Sequence, residues 1–195
     1  MNLLSNRKKR LISVINKTTA LSILSLFISF TKANIGFESK KDWMKEATQV
    51  SKIQRSIARL SNDVPTNKSF DIARSIYNAS RVHHIDPKII VSILQVESTF
   101  KQNVVSPTGD FSIAQINLKI WTKELSRLNK EPLDFERVKN DRDYAIYRMA
   151  EILSVLQRRH RTDKDWYASY HSINPLNKEV YKTKVIAELN KIRSL

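Results

Sequence analysis

Apolar residues recur at helical steps along most of the chain beyond residue 40. Trp43, Ala47, Val50, Ile53, Ile57 and Leu60 follow steps of three and four, the spacing that lines one face of an α-helix. The stretch "SNDVPTN" (61–67) interrupts the pattern with turn-forming residues. A second helix is predicted from about Phe70 to Val82, and a third from Pro87 onward. Asp86 is placed to cap that third helix, and Pro87 takes its first position, where a missing N–H costs nothing. Residues 99–112 read as a loop, and 113–128 as one or two short helices containing Trp121. From Arg142 to Leu156 the chain is apolar on most sides, which predicts a helix at the centre of the fold. "RRHRTDKD" (158–165) is a charged connection. Asp165 is expected to cap a helix around Trp166 to His171, Pro175 to end that element, and Tyr181, Val185, Leu189 and Ile192 to line a final amphipathic helix. Two glycines and five prolines in 195 residues are too few for a strand-and-turn architecture. The fold class expected is therefore all-α, with little or no β structure.

Charge changes the picture at the N-terminus. Arg7, Lys8, Lys9, Arg10 and Lys17 precede "TTALSILSLFISFT", 14 uncharged residues, and Lys32-Ala33 follow. A basic start, a short greasy segment and a small residue read as an export signal, cleaved or kept as an anchor. The segment is shorter than the ~20 apolar residues of an ordinary membrane span. This divides the chain into a signal (1–33), a helical arm and linker (34–67) and a catalytic domain (68–195), with an exported protein of the periplasm or cell envelope as the expectation. The formal charge is +15, and residues 1–33 hold six basic residues and no acid, so +9 remains without them. A basic exported protein is drawn to anionic polymers and surfaces by a salt-sensitive attraction. The absence of cysteine excludes disulfides, thiolate zinc sites and a lipid-modified N-terminal Cys.

One acid breaks the apolar pattern. On a wheel of the third helix, Lys88, Ser92, Gln95 and Thr99 form a polar stripe, and Glu97 lies ~180° from Lys88. Its neighbours on the wheel are Ile90, Ile93 and Leu94. The pattern thus puts a carboxyl on the buried face, at the helix C-terminal end. Burial disfavours its charged form, and the partial negative charge of the helix end pushes the same way. Such an acid holds its proton near neutral pH and can deliver it to a leaving group. The alternative is a Glu paired with one of the many Lys and Arg side chains.

The residues that follow carry a resemblance. Glu97-Ser98, then Ser106-Pro107-Thr108-Gly109, then Ile113-Ala114-Gln115-Ile116-Asn117, and far downstream Tyr170-His171-Ser172 with Pro175 and Tyr181, resemble the SLT-type lytic transglycosylases of the lysozyme superfamily. The likeness spans roughly residues 70 to 190, and its C-terminal part matches a branch with Tyr-His-Ser-x-x-Pro. It implies a lysozyme-like helical domain that cuts peptidoglycan glycan strands between N-acetylmuramic acid and N-acetylglucosamine without water. Glu97 would be acid and then base, Tyr170 would orient Glu97, and Ser98, Gln115 and Asn117 would contact the substrate. Ser112 and Ala114 stand where many relatives have Gly and Met. The likeness also extends to animal-type lysozymes, in which an Asp is the second carboxylate. Asp110, 13 residues after Glu97, would take that role in a hydrolytic muramidase, or is simply a turn residue after Gly109. A glycan-binding relative without turnover is the third reading.

Other signals point elsewhere less well. His83 and His84 are adjacent and diverge by ~100° on a helix, a poor metal pair; no metal or cofactor is expected. Arg158, Arg159 and Arg161 read as a solvated turn, and no nucleic acid is expected. The partners expected are glycan strands and an envelope-spanning secretion, flagellar or pilus assembly, served by a monomer.

Overall fold

Arg142–Arg159 (α6) forms the axis of the domain. The computed structural model describes residues 42–107 and 109–193. Asp141 starts α6 by accepting the Tyr144 N–H at 3.0 Å. Arg158 and Arg159 close it, where cations suit the helix dipole. Ala145, Ile146, Met149, Ala150, Ile152 and Leu153 are fully buried, so α6 is enclosed on nearly every side, as its apolar pattern predicts. Thr66–His83 (α2) lays Ile72, Ala73, Ile76 and Ala79 against it. Those residues repeat at three- and four-residue steps, the geometry of one buried stripe.

Upstream, residues 42–60 form α1. The compact unit begins at Thr48 and runs to Leu195. Within it Val50, Ile53 and Ile57 of α1 are buried in the main core, and Gln54 donates to the Thr66 carbonyl at 3.1 Å. The boundary expected at residue 67 therefore falls inside the unit. The loop 61–65 is a tight return, not a spacer, because the apolar stripe of α1 needs the same core. The export segment lies outside the described residues. Among those residues no helix is long and apolar enough to cross a membrane.

Pro87–Ser98 (α3) starts as expected, with the Asp86 carboxylate accepting the Lys88 N–H at 2.8 Å. Its polar stripe is narrower than the wheel suggests: Ser92 is fully buried. α3 packs on Pro175–Ile192 (α7). Pro175 opens α7 instead of merely ending the previous element, and Asn174 caps it by accepting the Leu176 N–H at 3.0 Å. Tyr181, Val185 and Ile192 are buried there, and Leu189 packs against the core.

Between α3 and α6 lie Leu118–Arg127 (α4) and Phe135–Asn140 (α5). The apolar pattern does not announce α5. Its signal is local: Asp134 caps it by accepting the Arg137 N–H at 3.0 Å. A 3-10 turn, Trp166–Tyr170, connects α6 to α7. Asp165 makes no side-chain cap there; its own N–H donates to the Asp163 carboxylate at 2.8 Å. Among the described residues β structure is limited to the isolated bridges Val105 with Phe111 and Phe111 with Ile116.

Candidate active site

Glu97 sits in the last turn of α3, immediately before an unusual reversal. Thr99 and Phe100 both adopt left-handed backbone (φ 50° and 61°), a conformation that side chains with a Cβ resist. The Thr99 N–H closes α3 on the Gln95 carbonyl at 3.1 Å. The buried Phe100 ring holds the turn, and the chain swings away to leave Glu97 half-buried at the helix end. From α7 the Tyr181 hydroxyl donates to Glu97 Oε1 at 2.6 Å. None of the ion pairs among the described residues involves Glu97.

The electrostatics follow from that placement. Burial pushes the Glu97 carboxyl up from its ordinary 4.5 to about 7. The Tyr181 hydrogen bond pulls it back, the Asp110 charge adds to the rise, and Lys184 opposes it. Tyr181 is held far above the usual phenol range by burial and by Glu97, so it stays a donor. The His171 ring lies flat on the Tyr181 ring, with centroids 4.7 Å apart and planes 8° from parallel. Burial and Lys184 lower the His171 pKa against the opposing pull of Asp110.

Residues 101–107 and 109–117 lie near Glu97 and His171, which feel the charge of Asp110, and are held by side-chain hydrogen bonds. Ser98 Oγ donates to Ile113 O at 2.7 Å. Gln115 Nε2 donates to Val104 O at 2.9 Å and Ser112 O at 2.8 Å. Tyr170 donates to Ala114 O at 2.8 Å. Ser106 accepts the Asp110 N–H at 2.9 Å and donates to Asp110 Oδ2 at 3.0 Å. Asn117 caps α4 by accepting the Ile120 N–H at 3.0 Å.

These bonds show where each expected site residue is held. Tyr181, not Tyr170, holds Glu97; Tyr170 is buried and tied to the facing loop. Ser98 and Gln115 direct their donors to that loop. Asn117 serves a helix end. Asp110 closes a turn and reaches Glu97 through its field. In the sequence Tyr181 stands both in the apolar stripe of α7 and in the C-terminal part of the family resemblance. A phenol on a buried stripe needs a hydrogen-bond partner, which is the signal that marks it.

Backbone strain tests the loop. Gly109 has φ 81° and open space around its missing Cβ. Gly109→Ala is therefore expected to destabilise by about 1 kcal/mol from conformation alone. Ser112 has φ 74° and is buried; its hydroxyl offsets part of the strain by a long 3.3 Å bond from Ala114 N–H. Ser112→Gly should shift stability the other way, by up to about 1 kcal/mol. Urea unfolding of both variants checks the pair of signs.

A separate hollow of about 890 Å³ lies between the start of α2, residues 99–104 and the α5–α6 corner, and does not take in Glu97. Two of its carboxylates already have structural partners: Asp141 caps α6, and Asp143 accepts from Ser75 at 2.6 Å. Glu97, outside that hollow, is the acid that burial moves into the neutral range.

The fold and site together define an all-α, lysozyme-like enzyme domain. The chain belongs to the family described as the transglycosylase SLT domain, whose model matches residues 74–184. It is, on that membership, a peptidoglycan lytic transglycosylase. The matched span holds Glu97, the loop facing it, the 3-10 turn and Tyr181. No curated protein and no solved structure matches the chain.

Proposed function

We propose that the protein cleaves the β-1,4 bond between N-acetylmuramic acid and N-acetylglucosamine without hydrolysis, leaving 1,6-anhydro-muramyl ends, with Glu97 as acid and then base. The observation that carries this reading is the Glu97 carboxyl, half-buried, bonded to a phenol and held near 7. A group with that pKa divides its population between acid and carboxylate at neutral pH, so it can both give and retake a proton. Tyr181 occupies Oε1, which leaves Oε2 to carry the proton.

In the first step Glu97 protonates the glycosidic oxygen as the bond to the muramyl C1 breaks. The substrate's own 2-acetamido group stabilises the sugar cation. The Glu97 carboxylate then takes the proton of the muramyl 6-hydroxyl, whose oxygen closes on C1. The nucleophile is already part of the substrate, so proximity does the work a second carboxylate does elsewhere. The engagement of Asp110 with Ser106 favours this single-acid route. The pattern of residues 1–33 further supports export, so that the enzyme meets the wall in the periplasm or envelope. There it would act as a monomer beside an envelope-spanning secretion, flagellar or pilus assembly.

The test is the chemistry of the released ends. Purified peptidoglycan is digested with the protein and the fragments are weighed by mass spectrometry. Anhydro-muramyl ends are expected, lighter than reducing ends by one water. Reducing ends would instead make Asp110 the second carboxylate of a muramidase, and binding without release would make the protein a glycan-binding relative.

A further inference from the structure

His171 contributes little to the core, since its side chain is exposed, yet it has a defined geometry. The preceding residue, Tyr170, is buried and anchored through its hydroxyl to Ala114 O. That bond pins the end of the 3-10 turn to the loop facing Glu97. The next ring in sequence then lies face to face on Tyr181, at 4.7 Å and 8°. Tyr181 is the ring whose hydroxyl reaches Glu97. The charged and titratable groups around the stack are Glu97 at the end of α3, Asp110 on the loop, and Lys184 on α7. Tyr170 is the remaining phenol close by, and it too feels the Glu97 charge.

A tyrosine side chain on a helix can turn about two torsions. The bond to Glu97 fixes only the position of its oxygen. A flat partner on the ring face fixes its plane, and stacked aromatic rings are worth ~0.5–1.5 kcal/mol beyond the area they bury. An exposed histidine needed only for solubility has no reason to lie parallel to that ring.

We propose that His171 is a positioning residue: its imidazole face sets the plane of the Tyr181 ring and thereby the hydroxyl that holds Glu97 for proton transfer. It acts through Tyr181, by ring contact, and takes no proton itself. The inference rests on Glu97 being the proton donor, and one of its readouts is independent of activity.

Five forms of the full chain test it: wild type, His171→Ala, His171→Phe, Tyr181→Phe and the double variant His171→Ala with Tyr181→Phe. His171→Ala should lower kcat by roughly tenfold with KM nearly unchanged, because misplacement of an acid slows the chemical step more than binding. A carbon-13 NMR titration of the Glu97 carboxyl should move to higher pH in His171→Ala, since a weakened Tyr181 bond no longer lowers its pKa. His171→Phe, planar and uncharged, should restore both values. In the double variant the loss should match that of Tyr181→Phe alone, as for two residues acting in series. An unmoved Glu97 titration in His171→Ala would overturn the proposal, as would equal defects in the Ala and Phe variants or a fully additive double variant. Should wild type release no glycan while the titration still moves, the proposed function fails and the positioning role stands.

Discussion

Replacing Glu97 by glutamine is expected to lower turnover at least about 10³-fold and to stabilise the protein at pH 8 relative to wild type. Both effects come from one placement. General acid–base help from a positioned side chain is worth ~10²–10⁴, and in the proposed mechanism the same group serves in both halves of the reaction. The stability effect follows from proton linkage. Burial raises the Glu97 pKa from 4.5 to about 7 on folding. Below 4.5 the carboxyl is neutral in both states and the folded form bears no cost. Between 4.5 and 7 the folded chain keeps a proton that the unfolded chain has lost, and the favourable term shrinks. Above 7 both states are ionised and the full cost of a buried charge remains, on the order of 3 kcal/mol. Glutamine never ionises, so its advantage should be near zero at pH 4 and grow to that size by pH 8. Urea unfolding at the two pH values, with turnover measured alongside, checks both. An advantage that does not change with pH would mean that Glu97 does not titrate in this window.

The second large effect separates the two tyrosines. Tyr181→Phe removes the hydroxyl 2.6 Å from Glu97 and should lower kcat by about 10- to 100-fold, through loss of orientation. Because that bond lowers the Glu97 pKa, its removal should also move the alkaline limb of the kcat profile to higher pH. The sign is set by the proposed role: a Glu97 that must be protonated to start the reaction makes activity fall as pH rises through its pKa, and a higher pKa postpones the fall. Tyr170→Phe should do the opposite in kind. It strips a donor from the buried Ala114 carbonyl, costs about 1–2 kcal/mol of stability, and leaves the alkaline limb where it was. A shifted limb in Tyr170→Phe and none in Tyr181→Phe would reverse the assignment.

Much of this arrangement was legible along the chain. Asp86-Pro87 and the run of Ile and Leu after it specify α3 and where it begins, because capping and apolar spacing act within one or two turns. The continuous apolar character of α6 announced a central helix for the same reason. Glu97 stood out because an acid on an apolar face conflicts with its neighbours, and that conflict is visible without any partner. Ser92 misled, since one small hydroxyl on a helix can be enclosed at modest cost and the wheel cannot tell which faces have neighbours. The packing of α1 is not encoded locally, because a turn of five residues looks the same whether it spaces two units or folds one back on the other.

Local patterning along the chain specifies an all-helical fold with one anomalous acid at the end of a buried helix. These are properties of periodicity and side-chain chemistry, which act between near neighbours. Which phenol meets that acid is set by long-range packing. Tyr181 lies 84 residues from Glu97, and Tyr170 is an equally plausible donor on chemistry alone. Packing of α7 on α3 brings one hydroxyl to the carboxyl, while the 3-10 turn carries the other to a loop carbonyl. A choice between two like groups at long range is made by backbone geometry, which local spacing does not encode.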